Sequence, residues 1–425
     1  MKSLRFILCI FAIYAVVFAE QLPLASVSGT AGAGVSTIRG GDSRWVNPAL
    51  LGLSDNPKQS ALLPSFGYRI GNDALKTSQL NSWFKKNRYW TKDERNTMVN
   101  SLNGDFTLLG QAGGGLGYQY QNFIFAVDGI GMMDAGIPKN VLNMMVNGNQ
   151  PGARYDLSGI RGGEWAGLSF GATFAKSFKD ISFAQEFSAG ITAKYIVGLS
   201  YAGIRSSSGS ILTNIQPDTV SLHGNIVTAT ASQGDGVAFD IGFAGRQDEN
   251  WGWSLALLNL AGKITWSNPK VHSNSFGVDT TGIPVDSLTK EGFLERWSNY
   301  RSDNYGESGS TENRLPPVML AGADYRYNKE WTFLGSVEQG LSTENTMIGG
   351  TDKTKWAFGA EYNHFALIPL RSGFAVGGES LFEFQVGAGY HSNDYQIDIA
   401  SGFTRGFFNG AKGFTVSISQ RVIIE

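Results

Sequence analysis

Gly167-Leu168-Ser169-Phe170-Gly171 has the G-x-S-x-G spacing that, at a strand-to-helix turn, presents a nucleophilic serine. Here the flanking residues alternate in mid-strand fashion, and in a chain this rich in Gly and Ser such a match arises easily. Gly41-Asp42-Ser43 has the opening of another esterase pattern, but no companion histidine motif follows. Gly113-Gly114-Gly115-Leu116-Gly117 does not open a helix, so it forms no phosphate cradle. The four histidines, His223, His272, His364 and His391, stand far apart with no i, i+4 pair, which gives a metal no ligand set. These residues predict no enzyme, no cofactor and no metal site.

The elements that carry them have period 2. In Phe382-Glu383-Phe384-Gln385-Val386-Gly387-Ala388-Gly389-Tyr390 one face is apolar and the other is polar or empty. Val237 to Phe243, Leu168 to Phe174, Tyr395 to Ile399 and Phe414 to Ser419 read the same way. Strands are expected near 61–70, 106–120, 122–132, 163–176, 183–205, 236–247, 251–267, 317–327, 331–340, 354–364, 369–377, 381–391, 394–402 and 412–424. The links alternate short and long, the long ones near 71–105, 133–162, 206–235, 268–316, 341–353 and 403–411, with one tight exception at 378–380. Tight turns at one rim and long loops at the other mark an outer-membrane barrel, and an even strand count puts every long loop outside. The expected fold is therefore all-β: a transmembrane antiparallel up-and-down barrel of about 14 strands, closed so that no backbone group is left unpaired in lipid.

Composition agrees. The 425 residues include 55 glycines, about twice the usual ~7%, yet only 16% charged residues. With 34 Lys+Arg against 36 Asp+Glu there is no basic footprint for nucleic acid. Lys2 and Arg5, the apolar run Phe6 to Phe18 and a small residue at Ala19 read as a cleavable secretory signal over 1–19, too short to span a membrane as a helix. Cys9 lies inside it, so no disulfide is expected in the mature chain. Phe, Val, Ile and Leu would meet outer-membrane lipid, and Trp165, Trp251, Trp253, Tyr327, Trp331, Trp356, Tyr362, Tyr390 and Tyr395 would sit at the rims.

Charges on the strand face opposite the apolar stripe are Asp240, Arg246, Asp324, Arg326, Glu338, Glu361, Glu383 and Asp398. A lipid-facing Lys or Arg costs roughly 2–4 kcal/mol near the midplane, so these groups point inward. They either line a ligand path or pair with one another and with Arg39 and Arg44 of the preceding segment; the second is favoured, because buried charges need partners. Thr91 with Glu94 forms a helix capping box, and Pro138 opens a short apolar helix carrying Val141, Leu142, Met144 and Met145. That helix is either an external hydrophobic site for a ligand or packing on the barrel mouth, the commoner outcome.

Between signal and first strand, Ala31-Gly32-Ala33-Gly34-Val35, Asp42 and then Trp45-Val46-Asn47-Pro48-Ala49-Leu50-Leu51-Gly52-Leu53 resemble the N-terminal hatch of the long-chain fatty acid transporter superfamily of outer-membrane barrels. That superfamily includes aromatic-hydrocarbon channels and the porin V subunit of type IX secretion. The stretches Tyr89 to Glu94, Gly148-Asn149, Tyr155 to Ser158 and Pro369 to Gly378 look closer to a branch of conserved outer-membrane proteins of unknown function. The resemblance implies a fourteen-stranded barrel at 61–425 with helical extracellular loops near 72–104, 133–162 and 268–316. It also implies a hatch at 20–60 whose motif falls on Asn47, Pro48 and Ala49. It implies passive uptake of a hydrophobic or amphipathic small molecule, fatty acid-like or hydrocarbon-like; the alternative is a structural or secretion-associated barrel of the porin V kind. Barrel assembly machinery would be the biogenesis partner. One departure is the ending Val422-Ile423-Ile424-Glu425, where such barrels commonly finish on an aromatic residue.

Overall fold

In the computed structural model, described over residues 24–83, 90–181, 184–214, 219–278, 283–284, 301–307, 309–342 and 347–424, fourteen antiparallel strands close into one barrel. The expected signal at 1–19 lies outside the described residues. The strands are β1 (Gln59–Leu62 and Phe66–Asn72), β2 (Phe106–Tyr120), β3 (Phe123–Ile137), β4 (Arg161–Ile181), β5 (Ala184–Asn214), β6 (Thr219–Ala231 and Gly234–Arg246) and β7 (Trp251–Ser267 and Lys270–Gly277). They continue as β8 (Arg301–Glu307, Ser310–Arg314 and Val318–Arg326), β9 (Trp331–Gly340), β10 (Thr354–Phe365), β11 (Ile368–Gly377), β12 (Leu381–His391), β13 (Tyr395–Thr404) and β14 (Gly413–Ile423). Each pairs with its chain neighbour, and β14 closes on β1 through Ser60↔Ile423 and Tyr68↔Val416.

The alternation survives in the burial. Along the second half of β6, Val237, Phe239, Ile241 and Phe243 are exposed while Ala238, Asp240, Gly242 and Ala244 are buried. An apolar outer face this continuous is stable only against lipid. Trp251 packs on Tyr325 at 4.6 Å and Trp331 on Tyr362 at 4.5 Å, beside the short turns 247–250 and 327–330. Trp165 departs from the expected rim position: it is 2% exposed and faces the lumen. No helix among the described residues is long and apolar enough to cross a membrane.

In two of the expected long loops the described residues are mostly strand. Residues 206–214 and 219–231 continue β5 and β6 as a hairpin, and the described part of 268–316 continues β7 and β8. β5 is 31 residues long where β9 has 10, whereas a membrane crossing takes about 9–11. The β5–β8 wall thus rises beyond the rest as a sheet wet on both faces. Of the expected helical loop near 268–316, residues 279–282, 285–300 and 308 lie outside the described residues, and what is described is strand with short connections. β1, expected unbroken, is interrupted at 63–65, where Pro64 has no N–H to give the ladder.

Two of the remaining long connections carry α-helices: after α1 (Ala25–Ser28), which precedes the barrel strands, α2 (Thr77–Trp83) and α3 (Lys92–Asn100) follow β1, and α4 (Lys139–Asn147) follows β3. At α3 the Thr91 hydroxyl accepts from the Glu94 N–H at 3.2 Å and the Glu94 carboxylate accepts from the Thr91 N–H at 2.9 Å. Thr91→Ala is expected to cost about 1 kcal/mol of local helix stability. Hydrogen exchange should then speed up over 92–100 and stay unchanged in the strands.

Candidate functional site

Residues 24–58 run inside the barrel. One short helical turn, Ala25–Ser28, and three 3-10 turns, Ala33–Ser36, Gly40–Trp45 and Pro48–Gly52, touch inward faces on opposite sides of the wall. Val35, Ile38, Val46 and Leu50 form one apolar cluster with Ala244, Ala256, Leu258 and Leu320 of the wall. Where the segment's backbone meets a strand the wall carries glycine: a Cβ on Gly373 would lie 2.3 Å from the Thr30 carbonyl oxygen, and one on Gly242 1.9 Å from Asn47 Oδ1. Part of the glycine excess is thus the room an inner chain requires.

Asn47 ties its turn to two strands. Its Nδ2 donates to the carbonyls of Phe243 at 3.0 Å and Leu255 at 3.1 Å, and its Oδ1 accepts from the Ala49 N–H at 2.9 Å. Pro48 occupies the first helical position, where a missing N–H costs nothing, and Ala49 is fully buried against the wall. Arg44, 5% exposed, donates to both oxygens of Asp128 on β3, at 3.2 and 2.7 Å. Ser54 gives its N–H and hydroxyl to Glu186 on β5 at 2.8 and 2.9 Å.

The inward charges are paired, in combinations that spacing along the chain does not reveal. Asp240 meets Lys194 at 2.7 Å, Glu338 meets Lys355 at 3.0 Å, and Glu383 meets Arg69 at 3.3 Å. Glu361 and Asp398 converge on Arg371, and His391 lies 3.0 Å from Asp398. Arg39 does not reach a wall acid; it meets Asp55 of its own segment at 2.5 Å. Asp55 also draws in Arg246 at 3.2 Å and Arg326 at 3.6 Å, and Arg246 stands 3.8 Å from Asp324. Arg44's partner Asp128 was missed in the sequence, although Ile124-x-Ala126-x-Asp128-x-Ile130 places it on the inward face.

Burial alone would raise the Asp55 carboxyl, but the charge and hydrogen bond of Arg39, then Arg246 and Arg326, outweigh it and hold the group below its ordinary value. A carboxyl lowered in the folded state contributes fully above its free value, about 3.9, and loses that contribution as pH falls through the folded value. The thermal-stability difference between wild type and Asp55→Asn should therefore be constant above about pH 5 and shrink only as the pH falls below the free carboxyl value. A difference that collapses between about pH 6 and 7 would contradict this assignment.

Above the inner segment lies a cavity of about 100 Å³. Arg44 and Trp45 form its floor; Met132, Trp165, Ile196 and Leu258 are among its walls. Gly349 and Thr351, from the connection between β9 and β10, contribute on the opposite side, and the neighbouring Ile348 packs into the same cluster as Trp165. Ser169 of the G-x-S-x-G match also borders it, in the middle of β4 rather than at the strand-to-helix turn that chemistry needs. Below the segment, at the end with the short turns, is a polar vestibule of about 820 Å³ bordered by Asp42, Arg371, His391, Asp398 and Arg421.

The apolar helix α4 is committed elsewhere. Val141 and Leu142 are buried, and Leu142 and Val146 pack with Leu75, Met98, Val99 and Phe106, joining α4 to α3 at the barrel mouth. Met144 and Met145 remain half-buried.

Among solved structures, the chain superposes on the Ralstonia pickettii toluene transporter TbuX with a TM-score of 0.55 at 11% identity, covering 95% of this chain and 99% of that one. A Pseudomonas aeruginosa FadL homologue gives 0.53 at 15% identity over 96% and 100%, and the monoaromatic hydrocarbon channel CymD gives 0.51 at 11% over 96% and 99%. At these identities the likeness is one of fold, that of the FadL-like outer-membrane barrels. No curated protein matches the sequence. Residues 56–391 match a family described as a family of unknown function, DUF5723, which spans most of the barrel. The chain belongs to that family, DUF5723, and carries it on a FadL-like barrel.

Proposed function

We propose that the protein sits in the outer membrane of a diderm bacterium, after removal of residues 1–19 and insertion by the barrel assembly machinery, and passively admits a small apolar or amphipathic molecule. The carrying observation is the mainly apolar cavity set between the 347–351 connection and the inner segment, with a polar vestibule beneath. A guest gains by leaving water at roughly 25 cal/mol per Å² of apolar surface buried. Residues 24–58 act as a hatch: Arg44–Asp128 and the Asn47 contacts hold it shut, and the vestibule charges hydrate whatever passes. The inward charges serve this seal rather than a ligand path, since Asp240, Asp324, Glu338, Glu361, Glu383 and Asp398 each have a basic neighbour. Support also comes from the fold neighbours, which are a toluene transporter, a monoaromatic hydrocarbon channel and a FadL homologue.

The test is uptake of radiolabelled toluene and octanoate by cells with and without the gene. Faster uptake with the gene supports the reading; equal rates for both compounds overturn it. A second reading, a non-transporting barrel serving as a partner platform, is favoured by the β5–β8 sheet standing clear of the barrel. Native purification in mild detergent that yields a stoichiometric partner would support it.

A further inference from the structure

Gln111 of β2, Met132 of β3 and Trp165 of β4 lie level in register, Gln111↔Met132 and Met132↔Trp165, and all three border the cavity. Gln111 and Trp165 are each 2% exposed. Among the described residues, neither amide atom of Gln111 has a hydrogen-bond partner, nor does the Trp165 indole N–H. Buried polar groups are almost always partnered, so an orphaned donor and acceptor together with a second orphaned donor, in one row on one cavity wall, call for a group to complete them. An apolar guest would leave them unpaired in a dry site, which is costly.

The charges in the same cavity exclude the other extreme. Its four charged lining residues are Arg44, Asp128, Lys194 and Glu338. Arg44 is held by Asp128, Lys194 by Asp240, and Glu338 by Lys355. A carboxylate guest would find no uncommitted cation among these residues, and would lie beside two acids. The volume of about 100 Å³ suits a single ring or a short chain rather than a long acyl tail.

We propose that the guest is a small neutral molecule with an apolar body and one hydroxyl or carbonyl oxygen, a phenol or alcohol, whose oxygen is held between Gln111 and Trp165. This rests on the uptake reading above and specifies its substrate class. The probes are p-cresol, p-xylene and p-toluate, which share ring and methyl group and differ in the second substituent. Each is titrated calorimetrically into the full chain in lipid nanodiscs, with empty nanodiscs as the blank.

The expected result is that p-cresol binds about tenfold or more tighter than the other two. Gln111→Met should bring p-cresol down to the p-xylene affinity while leaving p-xylene bound as well or better. Trp165→Phe keeps the ring and removes the N–H, and it should shift p-cresol in the same direction; it serves if the first variant does not fold. p-Xylene or p-toluate binding as tightly as p-cresol overturns the inference and leaves the uptake reading standing. Binding of none of the three also overturns the inference, and the toluene and octanoate uptake assay then decides the uptake reading by itself.

Discussion

Arg44→Ala is expected to release the inner segment from the β3 wall and raise ion conductance through single barrels in planar bilayers. The guanidinium is buried, makes two hydrogen bonds to Asp128, and lies over the Trp45 ring at 4.8 Å. Removing it leaves the Asp128 carboxylate, 7% exposed, without its counter-charge. Breaking a buried pair from one side costs about 3–5 kcal/mol, most of it the penalty of the stranded charge. That loss falls on the attachment of residues 24–58 while the strand ladder stays intact, so hydrogen exchange should accelerate in the segment alone. Asp128→Asn should act in the same direction, and the double change Arg44→Leu with Asp128→Leu should recover much of the seal because no charge remains to be buried. Conductance and exchange both unchanged in Arg44→Ala would refute the assignment of this pair as a lock.

A comparable effect is expected from the wall side. In Gly242→Val the new Cβ would have to occupy space 1.9 Å from Asn47 Oδ1 and 3.1 Å from the Pro48 ring, so the Asn47-Pro48 turn is displaced. Overpacking costs about 1–3 kcal/mol. The two Asn47 bonds to Phe243 and Leu255 add about 1 kcal/mol each, since the wall carbonyls lose their donors. Asn47→Ala with Pro48→Ala removes the same bonds without the clash and should raise conductance less. Gly335→Ala is the control: the nearest atom to its Cβ would be 4.0 Å away, so any general cost of filling a strand glycine appears there. Equal conductance for Gly242→Val and Gly335→Ala would show that the turn does not depend on contact at Gly242.

How much of this was legible beforehand follows from where water and lipid meet the chain. In the membrane-spanning parts each strand has an apolar outer face, which writes a period of 2 into the sequence; the strand over Val237 to Phe243 was placed within a residue or two. The upper halves of β5 to β8 have water on both sides. Stretches such as Ser206-Ser207-Ser208-Gly209-Ser210 carry no apolar stripe and read as loop, although their backbone is as fully laddered as the rest. For Trp165 the distance from the strand end fits a rim position, and the sequence reads no further. Its inward direction follows from the pairing with Met132, beneath a connection that folds into the mouth.

The barrel, its strand number and the inward direction of the charges are all written in local alternation, because lipid enforces it at every residue. Which charges meet depends on the folded chain, since Arg44 and Asp128 are 84 positions apart and come level solely through the path of the inner segment across the lumen. The same holds for the cavity: its floor, wall and far side come from three distant stretches, and an unpaired amide at Gln111 is visible only when every possible partner around it has been placed.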